Sequence, residues 1–144
     1  MNLQQFYTDT LNGGATYNII TGEYNPKKDY FVSLFGREKR IKEEDFTQTT
    51  IKDFINDNVT LLNDVNYLGS WADNGYIYLD VSVRVDSLED ALKLGYQNRQ
   101  LAIYDANKGK VIDLPTPQKT GTNFQQKEYL RITIENILRN ETTI

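Results

Sequence analysis

Three aspartates are the first residues from which chemistry could be built. Asp80 and Asp105 interrupt or end runs rich in apolar, β-forming residues, and Asp73 opens the turn that leads into the first of those runs. Carboxylates carried by neighbouring strands can hold Mg²⁺. A lysine close to the attacking water, for which Lys108 and Lys110 are near in sequence, would extend such a pair toward phosphodiester cleavage. Each acid also has an ordinary explanation: Asp73 and Asp105 as turn residues, Asp80 as a polar residue on an exposed strand face. The ordinary explanations carry more weight, so Asp80 and Asp105 stand only as weak metal candidates, and no cofactor is expected.

The residue types that are missing narrow the chemistry further. Among its 144 residues the chain has no Cys and no His. Disulfides, thiolate or imidazole metal ligands, Ser/His and Cys/His dyads and imidazole acid–base catalysis are thereby excluded. Carboxylate, Tyr and Lys chemistry and positioning by Arg survive.

A second group of residues could bind rather than react. Trp71, the one tryptophan, lies beside the Asp73-Asn74-Gly75 turn, where it either anchors a partner or caps its own core. Tyr78 and Tyr104 offer flat surfaces, and Arg99 and Gln100 precede an apolar strand, where they could hydrogen-bond a ligand or partner. Equally, Arg99 and Gln100 could satisfy backbone groups at the end of the preceding helix. With Asp80, these are the candidate binding residues. The stretches "NGG" and "NKGK" lack the glycine spacing and helix context of a phosphate-binding loop.

Several elements must position these side chains. Leu3, Phe6, Tyr7 and Leu11 fall at helical spacing, and Asn12-Gly13-Gly14 stops that helix. "ATYNII" and "YFVSLF" read as strands that pair as a hairpin across the loop "TGEYNPKK", and "GREKRIKEED" reads as a solvated connection rather than as a phosphate-binding patch of Arg37, Lys39, Arg40 and Lys42, whose charges Glu43, Glu44 and Asp45 partly cancel. A second helix is expected from about Thr49 to Leu62 with Ile51, Phe54, Ile55, Val59 and Leu62 on one stripe.

Asn74-Gly75 then joins "NYLGSWA" to "YIYLDVSVRV" in a hairpin. In its second arm Tyr76, Tyr78, Asp80, Ser82 and Arg84 share one face, and Ile77, Leu79, Val81, Val83 and Val85 share the core face. Ser87 caps a third helix that stops around Gly95 or Asn98. "RQLAIYD" and "KVIDL" form a second hairpin, Pro115 and Pro117 end the sheet, and a last helix is expected from about Phe124 to Arg139. This order describes a single α+β domain spanning 1–144, with a largely antiparallel sheet built from hairpins and helices packed on it.

The middle of the chain, "YLGSWADNGYIYLDVSVRVDSLEDALKLGYQNRQLAIYD", resembles a family of small phage and mobile-element proteins with the pattern YLGxWxDxGxxYLDVS, a helix bearing AxxxG, then QxAIYD. The matching residues are Tyr67 to Gly69, Trp71, Asp73, Gly75, Tyr78 to Ser82, Ala91, Gly95, Gln100 and Ala102 to Asp105. Upstream, "TGEYNPKKDYFVSLFGREKRI" also resembles that group's N-terminal part. The resemblance implies a mobile-element origin and brings no catalytic residue with it. A role in overcoming bacterial defence, or in handling phage or plasmid DNA, would follow from the company such proteins keep.

Bulk composition bounds the remaining choices. With 39% apolar and 25% charged residues the chain can bury one core. Its net charge of -4 argues against general nucleic-acid binding, which needs a basic surface to release counterions. No apolar run reaches the roughly 20 residues of a bilayer span, and the first residues lack the regions of a signal peptide, so no membrane partner and a place in the host cytoplasm are expected. The reading favoured is a non-catalytic accessory protein that binds a host or phage protein, with inhibition of a host defence system as its role. A small Mg²⁺-dependent phosphodiester-cleaving enzyme and an assembly component of a virion or transfer apparatus are the alternatives. An acidic DNA mimic is disfavoured, because the acids alternate with Lys and Arg.

Overall fold

A computed structural model describes residues 3–114 together with Ile134 and Leu138. Helix α1, Leu3–Leu11, turns Phe6 and Thr10 inward, and the chain leaves it through Gly13, whose φ of 145° suits glycine. Strand β1, Gly14–Tyr17, ends where the buried Asn18 folds its side chain back: Asn18 Oδ1 accepts from the amides of Ile20 and Thr21, at 2.9 Å each. That turn is why "NII" does not continue the strand.

Strand β2, Tyr30–Ser33, and strand β3, Lys39–Lys42, run in line along one edge of β5, separated by a turn over Leu34–Glu38. Strand β3 corrects the expectation of a solvated connection: Ile41 is buried on the helix-covered face, and its neighbours Arg40 and Lys42 project from the other. After one turn of 3-10 helix, Thr47 caps α2, Gln48–Asp57, in a reciprocal capping box with Thr50. The helix stops five residues before the expected Leu62 end, because the Asn58 side chain binds the Phe54 carbonyl and diverts the chain; Val59 is left exposed.

Strands β4, Asn66–Asp73, and β5, Tyr76–Val85, form the expected hairpin, with Asn74 and Gly75 at φ of 50° and 83° in a two-residue turn. Ser87 caps helix α3, Leu88–Gln97, by accepting from the Asp90 amide. Strands β6, Ala102–Asp105, and β7, Lys110–Asp113, make the second hairpin. The expected C-terminal helix lies outside the described residues except for Ile134 and Leu138, which are helical. Pro115 and Pro117 also lie outside them.

The chain is a single α+β domain with one antiparallel sheet in the order β1-β4-β5-β2-β6-β7, with β3 beside β5. Strands β1 and β2 do not pair with each other, which overturns the expected hairpin: β1 pairs β4, and β2 lies between β5 and β6. Alternation sets which face a strand buries, not which neighbour it takes.

The described helices cover one face. Phe6, Ile51 and Phe54 pack on Leu68, Ile77, Leu79 and Val81, while Ala91 and Leu92 of α3 pack on Val32, Ile103 and Ile112 beside Ile134. Each of the fully buried aliphatic side chains contributes about 1.5–3 kcal/mol. Among the described residues no helix is long and apolar enough to cross a membrane.

Candidate functional site

The face of the sheet turned away from the helices carries most of the sequence-derived candidates. Its side chains follow from register, because directly paired residues project to the same side. Trp71, Tyr78 and Arg40 form one cross-strand row, and Asp73, Tyr76 and Lys42 the next toward the hairpin turn. In the other direction come Gly69 with Asp80, then Tyr67, Ser82 and Ser33, and finally Arg84 with Phe31, Tyr104 and Val111.

Three environments divide this face. At one end the loop leaving β1 folds over it. Arg84 donates to Asp29 at 2.8 Å and to Tyr67 at 2.9 Å, pairs with Glu23, and lies 5.8 Å from the ring centres of both Phe31 and Tyr67. Burial works against the Arg84 charge, but the bonds to Asp29, Tyr67 and Glu23 outweigh it and hold the proton more firmly than usual. Among the described residues this end is closed by the ion pairs and hydrogen bonds of Arg84.

In the middle, Asp80 is buried between two hydroxyls. Ser33 donates to Asp80 Oδ2 and Ser82 to Oδ1, both at 2.8 Å. Burial pushes the Asp80 carboxyl above the usual range, and the two serine bonds only partly oppose it. Glu38, at the end of the turn between β2 and β3, is also raised, by burial first and by the Asp80 charge second. Space for the carboxylate comes from Gly69 across the strand pair: a Cβ there would run into it.

The far end is open. The Trp71 and Tyr78 rings stack at 4.8 Å and 25°, and Trp71 remains 46% exposed. Arg40 lies 4.6 Å over the Tyr76 ring, and Lys42 projects beside it. A stacked aromatic pair flanked by two cations can bury flat apolar surface in its centre and pair with acidic groups at its rim.

The remaining candidates separate from this group. Arg99 sits in the left-handed region, with φ of 56°, just past α3, and the Gln100 amide donates to the Gly95 carbonyl at 2.9 Å. These two residues close the helix end, with Arg99 also 5.0 Å from the ring centre of Phe35. Tyr104 is exposed on the open side but lies beyond the Arg84 cluster from Trp71. Asp105 points to the helix side, because it pairs with Tyr30, whereas Tyr104 pairs with Phe31 on the open side. Asp80 and Asp105 therefore project from opposite faces of the sheet and cannot share one cation.

Asp105 Oδ1 instead accepts from the Asn107 and Lys108 amides, the turn role open to it from sequence. Among the described residues no group of three acids gathers as a metal site. Reasoning from sequence placed Tyr76 on this face and named Gly69 only as a motif residue, but it read Arg40 and Lys42 as part of a solvated connection and did not bring them to the Trp71–Tyr78 pair. The signal for Arg40 and Lys42 was the "KRIK" alternation around Ile41, obscured by the mixed charges on either side.

No protein-family model matches this chain, and no curated protein or solved structure shows significant similarity to it.

Proposed function

We propose that the chain is a non-catalytic accessory protein of a phage or other mobile element that binds a host or phage protein through the open end of its sheet, inhibiting a host defence system. The observation that carries this reading is the stacked Trp71–Tyr78 pair, with Trp71 exposed and Tyr78 half-buried, on the face that carries none of the described helices and flanked by Arg40 and Lys42. Exposed, rigid aromatic rings beside cations are the groups that concentrate binding energy at protein interfaces. The resemblance of the hairpin region to mobile-element proteins supports the biological setting. The net charge of -4, with the basic residues interleaved with a larger number of acids, favours a protein over a nucleic acid.

The phosphodiesterase alternative loses its basis with Asp80 and Asp105 on opposite faces. Affinity capture from host lysate tests the proposal, using wild-type protein beside the Trp71→Ala/Tyr78→Ala variant. Retention of a discrete protein by the wild type and its loss from the folded variant is the expected result. Capture of nothing under permissive salt, or equal retention by both, contradicts it. Capture of the chain itself would instead favour an assembly component.

A further inference from the structure

Among the described residues the sheet has an unpaired edge at β3. Where β2 borders β5, strands β6 and β7 extend the sheet outward, but among the described residues no strand continues it beyond β3. The register pairs Lys39 with Leu79 and Ile41 with Ile77, and the Glu43 amide continues this series to the Gly75 carbonyl at 3.0 Å. In an antiparallel ladder every second residue bonds inward, so the backbone groups of Arg40 and Lys42 face outward. None of the described hydrogen bonds outside the ladder uses their amides. At the end of the vacant position, next to the start of β6, Phe35 and Leu101 are 59% and 77% exposed.

A free strand edge is a template for another strand, and its side chains select which one. A second copy of β3 is a poor occupant, because self-pairing brings Arg40 and Lys42 toward their own counterparts. Strand β3 itself carries Lys39, Arg40 and Lys42 between Glu38 at one end and Glu43, Glu44 and Asp45 at the other, which selects a short segment whose acids lie level with Arg40 and Lys42 and whose ends are uncharged. Period-two alternation sets the pattern: residues level with Arg40 and Lys42 lie on the open face, and the residue between them lies on the face of buried Ile41.

We infer that the protein partner docks an extended acidic–apolar–acidic segment as an added strand on β3, its acids meeting Arg40 and Lys42 beside the Trp71–Tyr78 stack. The inference rests on the protein-binding reading and specifies the chemistry of the partner. The added strand gains main-chain hydrogen bonds from Arg40 and Lys42, the acids gain charge partners, and the apolar residue extends the face of Ile41.

The test uses the full chain and a capped synthetic peptide Val-Glu-Val-Glu-Val, whose two acids match Arg40 and Lys42 and stop short of Glu38 and Glu44, titrated while amide hydrogen exchange is followed residue by residue. The expected result is saturable binding with slowed exchange at the Arg40 and Lys42 amides. Backbone N-methylation on the peptide's pairing edge abolishes binding, and Arg40→Glu/Lys42→Glu weakens it by about tenfold while admitting the Lys/Val counterpart. No binding at the highest soluble peptide concentration, unchanged exchange at those two amides, or equal binding of the N-methylated peptide overturns strand addition. Partner capture that still depends on Trp71 and Tyr78 would then show that only the docking mode had failed. If that capture fails as well, the protein-binding reading falls with it.

Discussion

Asp80 places a carboxylate where water is scarce, between two serine hydroxyls that donate to it. Because burial raises the Asp80 carboxyl, the folded chain holds that proton to higher pH than the unfolded chain does. Its contribution to stability is therefore fullest at low pH and is lost as pH rises past the ordinary carboxylate range through the raised value. Glu38 acts in the same direction. Asp80→Asn, whose amide can accept from one serine and donate to the other, should raise the neutral-pH unfolding midpoint by a few degrees and flatten its pH dependence. A loss of stability equal at acid and neutral pH would contradict this origin. Gly69→Ala drives a methyl group toward the same carboxylate and should cost about 1–3 kcal/mol in urea unfolding. The cost should shrink in an Asp80→Ala background, where the obstacle is gone; an additive cycle would place the strain elsewhere.

The hairpin of β4 and β5 was the most legible element, because its turn residues and its alternation specify the same register. Asn74 and Gly75 adopt the positive φ values their types favour, and Ile77, Leu79 and Val81 are fully buried as alternation requires. Gly75→Ala should destabilise the chain by about 1–2 kcal/mol, measured by thermal or urea unfolding, and a neutral result would mean that the turn relaxes to another type. Strand partnership was not legible. "ATYNII" and "YFVSLF" had the composition of paired strands, yet β1 found β4 and β2 found β5 and β6. Tertiary contacts choose the neighbours of a strand, and nothing local encodes them. Charge concealed β3 in the same way: its single buried residue, Ile41, gives too little pattern to separate an edge strand from a loop. Of the candidate site, the open face was readable from the alternation of Tyr76, Tyr78, Asp80, Ser82 and Arg84. Its division into a covered, a buried and an exposed part depends on the loop between β1 and β2, which no periodicity describes.

At the scale of the molecule, the described helices lie on one side of the sheet and the aromatic, cation-flanked end on the other, and the proposed docking surface is that end. The opposed placement of Asp80 and Asp105 gives Mg²⁺ or Mn²⁺ no shared site between these acids, so neither ion should raise the unfolding midpoint through them. A rise that disappears in the Asp80→Ala/Asp105→Ala variant would refute that placement. The open end itself is tested most directly by photo-crosslinking in the host cell, with a photoreactive phenylalanine replacing Tyr78 in one variant and the exposed Lys52 of α2, on the helix side, in another. A discrete adduct with another protein from position 78 and none from position 52 is the expected outcome. No adduct from position 78, or the same adducts from both positions, would contradict a docking surface on the open sheet face.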